Sequence, residues 1–430
     1  MRKFRWLFML TALVMVLTMT GSALAAVELS FWDMAWGGPN TYVPVAERLV
    51  AQFNEEHPDI HVTYQPVQWQ NYYQTFLTAV TGGAAPDVST GAFPQAVQYA
   101  AMDEILDLDP ILEKWKAENN PVLDDFLPDI LEMERYEGVL AGIPWNADPR
   151  QIWYNKDAFD QAGIETMPTT WDEFLEVCKQ IKEKTEYIPF NWSAAQQMST
   201  HLSIMLMAQN GTGWSNKDGT GAFEDLEPVV EMLAFIGELY KNEYVAPGIA
   251  GYKTADADIL FYSEKVAMFF SSPLNQIDQY PGLEDKVFAM PPLAGPRGSS
   301  MTYVWPNYVM AFKQTKHPEE ARIFLEWWVL NCQPLYFEGG LNSMPARLST
   351  LDNAFYADRK IAQEIKNVVL ANSTTPVYPA PFLYLAFNQI EGEEMPGNAI
   401  QEVLTGKTDY ERIALDLQKN IQRAFDEYAE

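Results

Sequence analysis

The succession of strand and helix over residues 27–90 constrains the fold more than any single motif does. Val27 to Trp32 reads as a strand. Tyr42, Val45, Ala46, Leu49, Val50 and Phe53 then share one helix face, and Pro58 ends that helix. Ile60 to Gln65 is the next strand. Trp69, Tyr72, Tyr73, Phe76, Leu77 and Val80 mark a second helix, stopped by Gly82 and Gly83, and Asp87 to Thr90 is a third strand. The order β-α-β-α-β calls for an α/β layer built on a parallel sheet.

In such a sheet ligands sit at the carboxyl ends of the strands. That rule selects Trp32, Asp33, Trp36, Gly37 and Gly38 after the first strand, Gln68, Trp69 and Asn71 after the second, and Thr90, Gly91 and Phe93 after the third. Each set mixes aromatic rings with short hydrogen-bonding side chains. A sugar needs this combination, because its CH faces stack on rings and its hydroxyls take directed bonds.

The stretch 138–174 holds three further signals. Gly142-Ile143-Pro144 reads as a turn that ends a short apolar run, and Arg150 to Asn155 alternates with the period of a strand. Thr170 is a candidate N-cap with Glu173 as its capping-box partner. Trp171, Phe174, Leu175 and Cys178 follow on one helix face.

Read in order, Gly142-Ile143-Pro144, Arg150, Ile152, Tyr154-Asn155-Lys156-Asp157, Ala162-Gly163, Pro168 and Thr170 to Phe174 resemble the crossover segment of bacterial extracellular solute-binding proteins of ABC importers, in the sugar-carrying, maltose-binding-protein-like branch. The pattern recurs at His57 to Val62, Gly82 to Val88, Leu106 to Leu108, Gly339 to Leu341 and Met344 to Arg347. The resemblance implies a two-lobed periplasmic-binding-protein fold of class α/β. Each lobe would be a mostly parallel sheet flanked by helices, with the ligand cleft between them. Lobe one would comprise 27–148 plus 306–346, and lobe two 149–305 plus 347–430.

The same resemblance implies capture of a sugar or oligosaccharide and its delivery to a membrane permease with a cytoplasmic ATPase. The expected ligand-binding residues are Trp32, Asp33, Trp36, Trp69, Asn71, Asp87, Trp145, Asn146, Arg150, Trp192, Ser272, Asn275, Trp305, Asn307, Arg347 and Tyr384. Trp32, Trp36 and Trp69 are expected to form one aromatic wall, faced across the cleft by Trp192, Trp305 and Tyr384. At 271–275 the chain has Ser-Ser-Pro-Leu-Asn where relatives often carry Gly and Trp, so Ser272 and Asn275 would bond hydroxyls there.

Residues 1–25 read as a secretory leader, with Arg2, Lys3 and Arg5 before an apolar core and Ala23-Leu24-Ala25 as the cleavage site. The core is shorter than the ~20 residues of a membrane span. No Cys stands at the cleavage site, which argues against a lipid anchor, and the expectation is a periplasmic monomer. About 400 residues beyond the leader exceed one ordinary core and suggest two domains. Without the leader's three basic residues the chain has 26 basic side chains against 58 acidic ones, a charge near −32. That field repels nucleic acid and anionic lipid.

Cys178 and Cys332 both fall on apolar helix faces and read as small buried hydrophobes rather than as a pair. The run 211–221, GTGWSNKDGTG, reads as a solvent-facing turn with Trp214 as a possible pocket rim, and His201 reads as a helix residue. The four histidines and two cysteines have no zinc spacing. No G-x-S-x-G elbow occurs, and no cofactor is expected. A secreted glycoside hydrolase or a carbohydrate sensor domain are the alternatives to a transport receptor. The hydrolase would turn its sugar over, and a sensor would need an output module.

Overall fold

The computed structural model describes residues 26–428 apart from Asn71, 128–129, Gln196, 272–276, 278–279, Asn342 and Asp358. The leader and the candidates Asn71, Ser272 and Asn275 lie outside the described residues.

The alternation at the start of the chain folds as its apolar spacing predicts. Strand β1 (Val27–Met34), helix α1 (Tyr42–Glu56), β2 (Ile60–Val67), α2 (Tyr72–Thr81) and β3 (Val88–Gly91) follow one another. β1 lies parallel between β2 and β3, with Val27 opposite Ile60 and Phe31 opposite Val88. α1 buries the six residues of its apolar face against this sheet. α2 begins at Tyr72, so Trp69 stays in the turn before it.

The next long strand, β4 (Ile143–Asn155), overturns one expectation. The chain does not turn at Gly142 to Pro144 but runs extended from Ile143 through both Pro144 and Pro149. Proline breaks most central strands because it lacks an N–H. Here Pro144 pairs beside a bulge, where the register slips between Asn307 and Tyr308 of the partner strand, and a bulge tolerates the missing donor.

Beyond β4 come α3 (Trp171–Lys184), β5 (Ile188–Asn191), α4 (Met198–Gln209), α5 (Thr254–Tyr262), β6 (Val266–Ser271), β7 (Val287–Ala289) and β8 (Thr302–Ala311). The Thr170 hydroxyl caps α3 by accepting from the Glu173 N–H. Glu173 reciprocates one residue earlier than the capping box requires, accepting from the N–H and hydroxyl of Thr169. After β8 the chain forms α6 (Pro318–Asn331), β9 (Met344–Pro345), α7 (Ala386–Gly392), α8 (Met395–Leu404) and α9 (Tyr410–Glu427).

The strands join in the order β2-β1-β3-β8-β4-β6-β5, with β7 and β9 also on β4. Parallel pairing holds within β2-β1-β3 and between β5 and β6. It turns antiparallel where β4 or β8 pairs with another of these strands, while the start of β8 also pairs in parallel with Ser373–Thr374. β4 exchanges partners along its length. Residues Ile143 to Arg150 pair with β8, and Gln151 to Asn155 pair with β6 and β7. One half of the strand therefore belongs to the first lobe's sheet and the other half to the second's.

Several tryptophans support the lobes rather than a surface. Trp115 and Trp328 are buried, and Trp115 donates to Glu326. Trp214 is also buried. It packs on Phe387 at 4.9 Å and donates to Ser203, so it is no pocket rim. Most of 211–221 is inside the lobe, and only its tip at 217–218 and Thr220 are exposed besides Gly211. Cys178 and Cys332 are free and buried. Among the described residues, no helix is long and apolar enough to cross a membrane.

Trp192 is 0% exposed, lies 5.4 Å from Phe190 and donates to Ser199. Replacing it by Ala should cost about 3–5 kcal/mol of stability through the cavity left behind. Urea unfolding followed by circular dichroism measures this, and a loss below about 1 kcal/mol would contradict the packing described.

Candidate ligand cleft

The loops at the carboxyl ends of β1, β2 and β3 converge as the topology requires. Ala35, Trp36 and Gly37 follow β1, Trp69 follows β2, and Ala92 follows β3. They line a cavity of about 370 Å³ together with Tyr72 of α2, Asp148 and Arg150 of β4, Trp305 and Asn307 of β8, and Ser343. From the other lobe come Gln197, His201 of α4 and Glu391 of α7.

The aromatic wall of lobe one differs from the expected trio. Trp36 meets Trp69 edge to face at 4.8 Å, and Trp69 meets Tyr72 at 5.2 Å. Trp69 is 39% exposed and donates its ring N–H to the Ala35 carbonyl. Behind them Trp145 packs on Trp36 at 5.4 Å and is buried, so it backs the wall without facing the cavity. Trp32 does not join. It lies within β1 and packs edge-on against Phe76 of α2 at 5.4 Å, toward the helix layer.

Asp33 is a support as well. Its carboxylate accepts from Thr90 at 2.7 Å, Tyr42 at 2.9 Å and Tyr64 at 3.2 Å, and it is fully buried. The Thr90 hydroxyl in turn accepts from the Trp36 ring N–H at 3.0 Å. Asp33 thus orients Trp36 through Thr90. Burial pushes its pKa up to about 7 against the lowering effect of these hydroxyls.

The opposite wall is built on Trp305. Its ring lies 4.5 Å from His201, 5.3 Å from Phe93 and 5.8 Å from Phe387. His201 Nε2 stands 3.5 Å from Glu391 Oε1, and neither ring nitrogen makes a hydrogen bond. Burial, with Arg150 nearby, pushes His201 well below the usual imidazole range, so it is neutral. Burial raises Glu391 to about 8, so it holds its proton at neutral pH. Asp148 is raised by burial, with Arg150 opposing. Arg150 is 8% exposed, and its Nε is unpaired. Asn307 donates to Asn146 at 2.7 Å, which leaves the Asn146 amide nitrogen buried without a partner.

Four more expected residues sit elsewhere. Asp87 lies at the amino end of β3, where it accepts from the Ser30 N–H and hydroxyl. It stands at the edge of the sheet opposite the cavity. Arg347 is held by Asp125 at 2.8 Å and braces the chain after β9. Trp192 is inside lobe two. Tyr384 packs on Phe425 at 4.9 Å and lines a different cavity with Phe382 and Tyr428. His201, Glu391, Asp148, Gln197, Tyr72 and Ser343 line the cleft without having been singled out in the sequence. The acid-rich run 391–394 was the signal available for Glu391.

Among the described residues, no group of three or more His, Cys, Asp or Glu side chains is placed to hold a metal ion.

A family model for the bacterial extracellular solute-binding proteins matches residues 39–331. The chain belongs to that family. A binding protein of Brucella abortus (strain 2308) is 25% identical over 377 residues, covering 87% of this chain and 88% of its own. The arabinooligosaccharide-binding protein of Halalkalibacterium halodurans is 24% identical over 315 residues, covering 70% of this chain and 67% of its own. The crystal structure of a sugar transporter from Arthrobacter chlorophenolicus A6 with bound laminaribiose superposes with a TM-score of 0.81 at 28% identity, over 92% of this chain and 99% of that one. The fold is the two-lobed one of these binding proteins.

The raised pKa of Asp33 fixes the sign of a pH effect. The folded value near 7 exceeds the ordinary 3.8, so the folded state keeps the extra proton between the two. The Asp33 contribution to stability is fully present below about pH 4, falls by up to ~1.4 kcal/mol per unit as pH rises toward 7, and then levels off. Asp33→Asn should flatten this slope. Urea titrations across pH 4 to 8 measure it, and identical slopes for the two proteins would contradict a buried proton at Asp33.

Proposed function

We propose that this protein captures a sugar or oligosaccharide in the cleft between its lobes, without turning it over, and hands it to an ABC-transporter permease with its cytoplasmic ATPase. The observation that carries this reading is one cavity with rings on two sides. Trp36, Trp69 and Tyr72 stand beside the ends of β1 and β2 and Trp305 stands on β8, while Asp148, Arg150, Asn307 and Gln197 offer donors and acceptors between them. Rings at two faces with polar groups at the rim suit a pyranose or furanose. The laminaribiose and arabinooligosaccharide ligands named for relatives belong to the same class.

A ligand there touches both lobes and favours their closed arrangement by differential contact. The lobes are read as 27–148 plus 306–346 and 149–305 plus 347–430. The partner exchange of β4 after Arg150 supports the first boundary. Asp125 also holds Ser349, which moves the last boundary a few residues past Arg347. Export to the periplasm behind the cleaved leader, without a lipid anchor, and a monomeric state complete the reading. Neutral His201 beside protonated Glu391 provides hydrogen-bonding groups rather than an ionised acid–base pair.

Titration calorimetry with neutral mono- and disaccharides tests the reading. The bound protein should also melt higher, by ~2.7 kcal/mol of added stability at a hundredfold excess over Kd. Trp69→Ala should weaken binding roughly tenfold to a hundredfold, with little loss of stability because the ring is partly exposed. Absence of binding across such a panel, or release of a shortened sugar, would overturn the proposal.

A further inference from the structure

Carboxyl groups outnumber cations around the cleft. Asp148 and Glu391 line the cavity, and Arg150 is the one Lys or Arg among the described residues that lines it. The adjoining space shares Arg150 and adds Asp258 and Glu394. One guanidinium thus serves four carboxyls. Carboxylates that share a buried site raise one another's pKa, and a buried charge without a partner is costly. At least one of these acids therefore keeps its proton.

The positions decide which one. Asp148 stands two residues before Arg150 on β4, and alternate residues of a strand share a face. Burial raises Asp148, and Arg150 is the largest influence opposing that. Glu391 reaches the cavity from α7, is 5% exposed and has Glu394 beside it as a like charge. Its contact with a basic atom is to His201 Nε2, at 3.5 Å. His201 does not take the proton, because an imidazolium there would be buried and next to Arg150, and both effects hold the ring neutral. Tyr72 of α2 and Tyr303 of β8 also act electrostatically with Glu391, and burial raises both phenols, so they stay neutral. Burial, reinforced by Glu394, raises Glu391 to about 8. An ionised carboxylate only accepts hydrogen bonds, whereas a protonated one has an O–H to give.

Resting on the sugar-binding reading above, we propose that Glu391 binds the sugar as a neutral acid, donating its O–H to a ligand oxygen, so that affinity is coupled to one proton and the cleft releases sugar as the medium turns alkaline. The sign follows from the form that binds. Only the fraction of protein with Glu391 protonated is competent, and the apparent Kd rises as that fraction falls. Bound sugar holds the proton on, so binding above the midpoint takes a proton up.

The test is calorimetry on the whole protein from pH 6 to 9.5 with whichever of glucose, arabinose and laminaribiose binds most tightly. Affinity should fall toward tenfold per unit above about pH 8. At pH 9, titrations in two buffers of different ionisation heat should show uptake of close to one proton. Glu391→Gln keeps an N–H donor and cannot titrate. It should bind within roughly threefold of the unaltered protein at pH 7, lose the alkaline fall and take up no proton. Asp33, near 7, and Asp258, near 6, titrate in both proteins, so the difference between the two profiles isolates Glu391. The proton count is read on the unaltered protein and does not depend on the variant folding. Constant affinity through pH 9.5, absence of proton uptake, or the same alkaline fall in Glu391→Gln would overturn the proposal. If no neutral mono- or disaccharide binds at any pH, the sugar-binding reading itself fails.

Discussion

The antiparallel pairing of β4 with β8 is the constraint on which the rest of the structure depends. Seven residue pairs from Tyr303–Arg150 to Val309–Ile143 hold the two strands together. β3 adds to the outer side of β8 and so ties the ribbon to the first lobe. The distal end of β4 takes β6 and β7 and so ties it to the second. Because strand residues alternate between faces, the same ribbon projects Asp148, Arg150, Trp305 and Asn307 into the cleft. One pairing therefore sets both the junction of the lobes and the floor of the site.

Around that floor the protein spends buried polarity on orientation. The chain from Asp33 through Thr90 to Trp36 places a carboxylate under an aromatic wall, where it locks a ring through two hydrogen bonds. Buried charge of this kind seldom adds stability by itself. A ring held by such bonds has less freedom to lose on binding. His201 presents the complementary case, since both its ring nitrogens are buried without a hydrogen-bonding partner inside the protein and its side chain lines the cavity.

Much of the fold was legible because burial writes itself into spacing. The six apolar positions of α1 and the cap at Thr170 are where the sequence places them. The crossover motif led to the family that the matched residues 39–331 then established. The sequence puts a turn at Gly142-Ile143-Pro144 and starts the strand at Arg150, whereas the bulge beside Pro144, formed with a distant strand, lets β4 run through it. The site was less legible. The strand-end rule found Trp36 and Trp69, and the motifs found Arg150, Trp305 and Asn307. Trp32, Trp192 and Tyr384 went inward because aromatic residues serve core and cleft equally well, and only tertiary packing decides which. Asp33, Asp87 and Arg347 were polar for reasons of internal bonding, to Thr90, Ser30 and Asp125. His201 and Glu391 arrive on helices far along the chain, and no local pattern reveals that they meet.

The most direct test is a crystal structure of the protein grown with a neutral disaccharide that binds in calorimetry. The account predicts an intact sugar with one ring against Trp36 and Trp69, opposite Trp305, and with Arg150 and His201 within hydrogen-bond distance of it. Density for the sugar away from these residues, or for a cleaved product between them, would contradict it.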